Sequence, residues 1–131
     1  MGVKDGGGLM ILGTGIDIIE IERVKHAFTT ERRRKRIFTS AEIECFGENP
    51  SRMAGFFSAK EALSKALGTG IREISFREME ILKEPGGKPY FNMELLKPHL
   101  RRVFRKENFR VHLTISHDRE RATAMVIIEE E

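Results

Sequence analysis

Residues 53–67 have the sequence MAGFFSAKEALSKAL, and this stretch determines the expected fold more than any other part of the chain. Apolar residues recur in it at intervals of three and four, which places them on one face of a helix. The apolar face consists of Met53, Phe56, Ala59, Leu63, Ala66 and Leu67. Gly68 and Gly70 follow, and glycine tolerates the left-handed conformation in which many helices end. We therefore predict a long amphipathic helix that ends at these glycines.

Three shorter elements are expected before the long helix. The apolar, β-capable residues 10–16 predict a short buried strand that ends near Asp17. Helical spacing of apolar residues then predicts an amphipathic helix over 20–35. Thr39, followed three residues later by Glu42, is a capping-box pattern and predicts the start of a short third helix.

The segment after the long helix is expected to contain mainly strands. The predicted elements are a strand over 75–83, a turn over 84–87, a strand over 88–91, a helix over 93–106 capped by Asn92 and interrupted or restarted at Pro98, and strands over 110–116 and 121–129. Strands that follow one another through short turns pair antiparallel. The order of elements therefore predicts an α+β fold, in which a small antiparallel sheet packs against helices.

The composition indicates a single globular domain. The chain has 131 residues, of which 40% are hydrophobic and 33% are charged. Residues 1–9 contain four glycines and are predicted to be a flexible tail, and 10–131 form the domain. No apolar run approaches the ~20 residues that span a bilayer, and no signal peptide is recognised at the start. Cys45 is the only cysteine, so a disulfide framework is excluded and a cytoplasmic protein is expected.

The positive charge is concentrated in two places. Residues 32–36 form one dense basic run, and a second group lies within 101–110. Such surfaces attract nucleic acid, anionic lipid, phosphorylated cofactors or acidic proteins, although a solvated helix face is equally ordinary. A nucleic-acid groove favours aromatic residues between the arginines, whereas Phe28 and Phe38 only flank the first run. An acidic protein is therefore the better functional interpretation of that run.

Two carboxylates are candidates for metal binding. Asp17 is expected at the end of a strand, and Glu61 lies on the long helix, one turn before Lys65. Each has an ordinary explanation, a capping aspartate for the first and an exposed ion pair with Lys65 for the second. If the fold brings the two together, they can hold Mg²⁺, which takes one or two carboxylates together with phosphate oxygens and water. The spacing leaves both interpretations open.

His117 is a candidate phosphate ligand. It is expected in the turn of the last hairpin, after a buried strand, where its ring can donate a hydrogen bond to a phosphate. A solvated surface histidine is an equally good interpretation. The other histidines show no metal-ligand spacing with one another or with Cys45.

Four segments together resemble the bacterial holo-acyl-carrier-protein synthases. Residues 13–24, GTGIDIIEIERV, are similar to the N-terminal signature of that family, and 57–70, FSAKEALSKALGTG, to its second signature. GKP at 87–89 and ISHD at 115–118 match later motifs in the expected order. The resemblance covers essentially all of 10–129, and the second signature is fairly specific.

The resemblance implies an activity and an assembly. A member of this family transfers 4′-phosphopantetheine from coenzyme A to a serine of an apo-acyl carrier protein with Mg²⁺, releases 3′,5′-ADP and serves fatty acid biosynthesis. It has the 4′-phosphopantetheinyl transferase fold and forms a homotrimer with active sites between subunits. His117 would then complete a site that holds Asp17 and Glu61 of another chain.

The resemblance also implies roles for individual residues. Asp17 and Glu61 would bind Mg²⁺ and, with Lys65, form the catalytic group. The residues implied to bind the cofactor are Lys60, Lys65, Gly87, Pro89, Ser116 and His117. Arg23, helped by Arg33, would bind the acidic carrier protein. Many relatives have arginine where this chain has Phe56, and Arg52 is a candidate to replace that contact.

Two alternatives to this enzyme remain at the level of the sequence. One is a small basic nucleic-acid-binding protein that uses 32–36 and 101–110. The other is a relative that binds coenzyme A but has lost catalysis. The enzyme hypothesis expects neither nucleic acid nor a membrane as a partner.

Overall fold

The computed structural model describes residues 10–68 and 74–131; the predicted tail at 1–9 and the predicted helix-ending residue Gly70 lie outside the described residues. The elements, in chain order, are β1 (Ile11–Glu20), α1 (Ile21–Ala27), α2 (Glu31–Ile37), α3 (Ser40–Phe46), α4 (Pro50–Leu67), a 3₁₀ helix (Phe76–Glu78), β2 (Ile81–Lys83), β3 (Pro89–Phe91), α5 (Met93–Phe104), β4 (Phe109–His117) and β5 (Arg121–Glu130).

The central unit is an antiparallel sheet with α4 packed on one face. Its three strands are ordered β1-β5-β4, and β2 and β3 pair as a separate hairpin. Ala124 of β5 stands opposite Asp17 of β1 on one side and opposite Ile115 of β4 on the other. The α+β fold with a small antiparallel sheet is therefore confirmed.

The core lies between α4 and the sheet. The predicted apolar face of α4 is buried, and alternate residues of β5, from Ala122 to Ile128, are buried beneath it. Two glycines of β1 permit close packing, because a Cβ on Gly13 would collide with the carbonyl of Ala66 and one on Gly15 with that of Ala62. Glycine is therefore required at both positions if β1 is to lie this close to the helix.

The opposite face of the sheet is open. Successive side chains of a strand point to opposite faces, so the residues between the buried ones are directed away from α4. Ile16 and Ile18 of β1 are each 64% exposed, and Met125 of β5 is 43% exposed. Because Ile16 pairs with Met125 and Ile18 with Thr123, these side chains form adjacent rows of what we call the open face.

Two predicted boundaries near the N-terminus are wrong. The first strand does not end near Asp17 but continues to Glu20, because the alternation of inward and outward side chains persists beyond the aspartate. The helix predicted over 20–35 is two helices, α1 and α2. The chain breaks between them at Phe28, and the hydroxyl of Thr30 accepts a hydrogen bond from Arg33 N to cap the second helix.

Two predictions in the second half also need correction. Only Ile81–Lys83 of the strand predicted over 75–83 is extended, because Ser75 and Glu78 form a capping box that starts a 3₁₀ helix. The predicted interruption at Pro98 does not occur, and α5 continues through it to Phe104.

The remaining elements agree with the predictions. Thr39 and Glu42 form the predicted capping box of α3, α4 ends at Gly68, and the two predicted hairpins are present. None of the helices in the part of the chain that the structure describes is long and apolar enough to cross a membrane.

Candidate active site

Asp17 is held rigidly between the sheet and α4. Its side chain is 13% exposed, and its Oδ2 accepts a hydrogen bond from the hydroxyl of Ser58 at 3.1 Å. The same hydroxyl lies 3.1 Å from the backbone oxygen of Asp17, which also accepts from Thr123 Oγ1 at 2.7 Å. The backbone and one carboxylate oxygen are thereby fixed, and Oδ1 is directed toward Lys65.

Glu61 and Lys65 complete a charged group with Asp17. Lys65 Nζ donates to Asp17 Oδ1 at 3.2 Å and to the carbonyl of Ile16 at 3.0 Å. Burial raises the pKa of Glu61 above its ordinary value, the negative charge of Asp17 raises it further, and Lys65 opposes both effects. The two carboxylates are therefore near enough to repel each other. We call Asp17, Glu61 and Lys65 the acidic cluster.

The acidic cluster has the chemistry of a divalent cation site that is completed by a ligand. Among the described residues, no group of three or more His, Cys, Asp or Glu side chains converges on one point. Two carboxylates are nevertheless what Mg²⁺ commonly takes from a protein when phosphate oxygens and water supply the other positions. The mutual repulsion of Asp17 and Glu61, relieved here by Lys65, fits a site for added positive charge.

A second group of residues, which includes four of the sequence candidates together with Lys83, lines a cleft beside the N-terminal half of α4. Arg52, Lys83, Gly87, Pro89 and His117 are part of its lining, and we call it the cationic cleft. They come from α4, the β2–β3 hairpin and the end of β4. The cleft can hold an anion because two permanent cations and a histidine face one space.

Phe56 takes part in the cationic cleft in a different way from an arginine. It lines the cleft but is only 1% exposed, and Lys83 Nζ lies 5.8 Å from the centre of its ring. The ring therefore stabilises the ammonium group of Lys83 through a cation–π contact. Arg52 is oriented by a hydrogen bond of 3.0 Å from Nη1 to the carbonyl of Cys45.

His117 and Ser116 were predicted as one binding pair, and both line a shallow depression that also includes Ile18 and Thr123 of the open face. His117 is the last residue of β4 rather than part of the turn. It also lines the cationic cleft, so it borders both spaces. The adjacent turn is fixed by Asp118, whose pKa is lowered by hydrogen bonds from the backbone N–H groups of Arg121 and Glu120.

The structure contradicts the predicted role of Lys60. Its side chain is completely buried and forms an ion pair with Glu42 at 2.9 Å. Its ammonium group also donates to the carbonyls of Phe76 and Met79. All three of its N–H donors are thus occupied inside the protein, and a phosphate at the surface is out of reach. The motif alone could not reveal this, because the partner Glu42 is 18 residues distant.

The two arginines predicted to bind a carrier lie on different helices. Arg23 is exposed on α1, beside a depression that includes Ile18 and Arg121. Arg33 of α2 lies at an apolar groove, which we call the α1–α2 groove. The groove is lined by Ala27, Phe28, Arg33, Arg36, Ile37, Phe57 and Phe76.

Four contributing residues were missed or only partly anticipated from the sequence. Ser58 could have been found, because it lies three residues before Glu61 and seven before Lys65, on the same face of a helix. Thr123 and Lys83 carry no comparable signal, since their contacts depend on strand pairing and on the hairpin. Arg52 was anticipated only as a substitute for an arginine at 56.

Comparison with known proteins gives one consistent result. The sequence profile of the 4′-phosphopantetheinyl transferase superfamily matches residues 13–126. A holo-[acyl-carrier-protein] synthase of Fusobacterium nucleatum is 48% identical over 124 residues, which is 91% of this chain and 99% of that protein.

Two solved structures extend this similarity to three dimensions. A holo-(acyl-carrier-protein) synthase of Bacillus anthracis in complex with CoA (3′,5′-ADP) has a TM-score of 0.74 and 35% identity, covering 95% of this chain and all 100% of that one. The holo-[acyl-carrier-protein] synthase of Helicobacter pylori in complex with coenzyme A has a TM-score of 0.70 and 32% identity, covering 88% of this chain and 98% of that one.

Proposed function

The chain belongs to the 4′-phosphopantetheinyl transferase superfamily, within it to the holo-acyl-carrier-protein synthases, and from this premise we propose its reaction. It transfers 4′-phosphopantetheine from coenzyme A to a serine hydroxyl of an apo-acyl carrier protein. The observation that carries the proposal is the acidic cluster, in which Asp17 and Glu61 come together beside Lys65. This is the electrostatic arrangement that phosphoryl transfer needs.

The chemistry is one substitution at phosphorus. The serine oxygen forms a bond to the β-phosphorus of coenzyme A, the bond from that phosphorus to the oxygen of the nucleotide breaks, and 3′,5′-ADP leaves. The serine hydroxyl loses its proton in the process, and that proton is released to the solvent. Catalysis of such a step comes mainly from positioning and from stabilisation of charge on the phosphate oxygens.

Asp17 and Glu61 would hold Mg²⁺, and Lys65 would bind a phosphate oxygen. When bound, Mg²⁺ supplies positive charge to the pyrophosphate. The side chain of Lys65 is 56% exposed, so its ammonium group can give up its contact with Asp17 and bind a phosphate oxygen instead. Ser58 keeps the Asp17 carboxylate oriented, because it donates to the oxygen that Lys65 does not contact.

The cationic cleft would bind a phosphate group of coenzyme A. Arg52 and Lys83 supply permanent positive charge, His117 supplies a ring N–H, and Gly87 and Pro89 shape the wall of the hairpin. The phosphopantetheine arm is transferred, so the cleft would hold the nucleotide part that remains as 3′,5′-ADP.

The assembly that we propose is a homotrimer with active sites between subunits. Supporting it, Ile16, Ile18 and Met125 form an apolar surface on the open face, where a monomer would leave it in water. Within one chain, β5 lies between β1 and β4, so the strands that carry Asp17 and His117 are separated by roughly 10 Å. In a trimer, His117 and Ser116 of one subunit would complete the acidic cluster of its neighbour.

The carrier protein would bind to α1 and α2. The α1–α2 groove combines apolar side chains, Phe28 and Phe57, with Arg33 and Arg36 at its border, and Arg23 lies on the preceding helix. Such a surface suits an acidic partner that buries a small apolar patch. The carrier supplies the serine, so this docking would bring it to the acidic cluster. A carrier substrate also leads us to propose a cytoplasmic location and a role in fatty acid biosynthesis.

The test is the mass of the carrier. The protein is incubated with coenzyme A, Mg²⁺ and an apo-acyl carrier protein, and the carrier is weighed by mass spectrometry. Addition of one phosphopantetheine supports the proposal. Thermal stabilisation by coenzyme A without transfer would indicate a catalytically inactive relative. Neither effect, together with salt-sensitive binding of DNA or RNA, would indicate the nucleic-acid alternative.

A further inference from the structure

The pair of Lys60 and Glu42 is the most deeply buried charged contact among the described residues. Both side chains are fully inaccessible, and Lys60 Nζ lies 2.9 Å from each oxygen of the Glu42 carboxylate. The ring of Phe38 lies 5.6 Å from the same nitrogen. Nothing in the proposed transfer reaction uses either group directly.

The pair connects α4 to the segment that leads into β2. Lys60 donates to the carbonyls of Phe76 at 2.7 Å and Met79 at 3.1 Å. Glu42 accepts from the backbone N–H of Ile81 at 2.9 Å. Both partners of one ion pair therefore form hydrogen bonds with the backbone of residues 76–81.

A second carboxylate extends these connections to α5. Glu80 accepts hydrogen bonds from Thr39 Oγ1 at 2.5 Å and from Asn92 Nδ2 at 2.9 Å, and its carbonyl accepts from Asn92 N at 2.8 Å. Thr39 also donates from its backbone N–H to Glu42 at 2.9 Å. The N-terminal ends of α3 and α5 are thus joined to the same segment.

Stability alone does not account for this arrangement. Both charges lie in the interior without access to water, so the free energy lost in dehydrating them offsets much of what their attraction supplies. Replacement of a buried ion pair by apolar side chains of similar volume is often neutral or stabilising. The pair does fix the orientation of the segments that it binds, because each of its hydrogen bonds has a defined geometry.

The elements that the pair connects are the ones that carry both proposed binding groups. Lys60 is followed directly by Glu61 of the acidic cluster on α4. Ile81 begins the strand that ends at Lys83, and the hairpin then reaches Gly87; Lys83 and Gly87 both line the cationic cleft. The orientation of the hairpin against α4 therefore depends on contacts to Lys60 and Glu42.

We propose that Lys60 and Glu42 are positioning residues for coenzyme A, which fix the β2–β3 hairpin against α4 so that the cationic cleft has its binding geometry. The inference depends on the proposed function and adds to it a role for two buried residues that do not touch the substrate. Displacement of a binding group by about 1 Å is enough to reduce its contribution by an order of magnitude or more.

The test compares wild type with a double variant, Glu42→Gln with Lys60→Met, which removes both buried charges and keeps similar volumes. We expect a folded protein whose KM for coenzyme A rises about tenfold, whereas kcat and the KM for the carrier change less than about twofold. A purely structural pair would alter the melting temperature but leave the KM of the folded enzyme unchanged. That result would overturn the inference.

Two further variants keep the test decisive. Glu42→Gln alone keeps the shape of the side chain, but the backbone N–H of either Thr39 or Ile81 loses its acceptor. This variant should raise the KM for coenzyme A by a smaller factor than the double variant. An unchanged KM would again overturn the inference. The matched control is Glu78→Gln, which removes the charge of a half-exposed carboxylate in the same segment, while the amide oxygen can still accept the capping hydrogen bond from Ser75 N. It should leave the KM unchanged. If wild type itself transfers nothing, the proposed function has failed rather than the positioning alone.

Discussion

Lys65 Nζ lies 3.2 Å from Asp17 Oδ1, and this contact joins the last turn of α4 to the middle of β1 across 48 residues of sequence. The ammonium group lies on the exposed side of the pair, with the carbonyl of Ile16 as its second acceptor. It relieves the repulsion between Asp17 and Glu61 and at the same time faces solvent, where a phosphate can approach. Lys65 is therefore placed where it would link the two carboxylates to the proposed substrate.

Replacement of Lys65 is expected to weaken substrate binding more than folding. Lys65→Ala removes a charge-assisted hydrogen bond worth about 1.5–3 kcal/mol, so the KM for coenzyme A should rise roughly 10-fold to 100-fold. Lys65→Arg keeps the charge and should retain part of the affinity. The measurement is initial transfer rate against coenzyme A concentration. An alanine variant with the wild-type KM would mean that this lysine does not contact the phosphate.

The two carboxylates of the acidic cluster are expected to be essential for transfer. Asp17→Asn and Glu61→Gln keep the shape of each side chain but remove the charge that would hold Mg²⁺, and each should lower kcat/KM by about 100-fold or more. Melting temperatures should stay near that of wild type, because neither carboxylate is part of the core. Binding of Mn²⁺ as a spectroscopic probe should weaken in parallel.

The matched control for that experiment is Glu94→Gln. Glu94 is an exposed carboxylate in the first turn of α5, a helix that carries no residue of the acidic cluster or of the cationic cleft. Its kinetics should match those of wild type. If Asp17→Asn or Glu61→Gln behaved like this control, the assignment of the metal site would be wrong.

The sequence predicted the long helix and the cap of α3 because both depend on neighbouring residues. The apolar spacing of α4 and the pairing of Thr39 with Glu42 are local patterns. The break near Phe28 was not predictable in this way, because Phe28 packs against Phe57, which is distant in sequence. The 3₁₀ helix at Phe76 did have a local signal, since Ser75 and Glu78 form a capping box, but the strand prediction over 75–83 did not take it into account.

In the candidate site, too, some features follow from the local sequence and others only from the tertiary structure. Residue type and helical spacing made Glu61 and Lys65 candidates, the family resemblance implied their roles, and the fold then brought Asp17 to Lys65. Lys60 carries the same formal charge as Lys65 and lies on the same helix, but it faces the interior and binds Glu42. Which lysine meets the substrate depends on the rotation of α4 against the sheet, and a motif does not contain that information.

Arg52 is expected to matter for the cofactor and not for the carrier. Its guanidinium group lies in the cationic cleft, oriented by the carbonyl of Cys45. Arg52→Ala should raise the KM for coenzyme A about 10-fold through the loss of a charge-assisted contact and leave the KM for the carrier protein unchanged. Arg102→Ala, on the exposed surface of α5, is the control and should change neither value. Equal KM values for coenzyme A in Arg52→Ala and wild type would exclude this arginine from the cofactor site.

A charge on the open face is expected to prevent assembly. Ile18 is 64% exposed on β1, and burial of a glutamate there against a neighbouring subunit would cost several kcal/mol. Ile18→Glu should therefore elute as a monomer, whereas wild type should have the mass of a trimer in light scattering. Leu95→Glu is the control, since Leu95 is an exposed leucine of α5 at 40% exposure. A variant that remained trimeric would show that the interface lies elsewhere.

Active sites shared between subunits predict that two inactive variants restore each other. Asp17→Asn damages the acidic cluster of the chain that carries it. His117→Ala damages the cationic cleft of the chain that carries it, and in the proposed trimer that cleft would complete the acidic cluster of the neighbouring chain. The two variants are co-expressed with different affinity tags, and trimers that contain both variants are isolated by purification on both tags. In each such trimer, one interface combines an intact acidic cluster with an intact His117. Such trimers should therefore recover about one third of wild-type activity. Co-expression of Asp17→Asn with Glu61→Gln should recover none, because every cluster then carries a damaged carboxylate. If the first pair also fails to recover, although mixed trimers form, each chain must supply Asp17 and His117 to the same site.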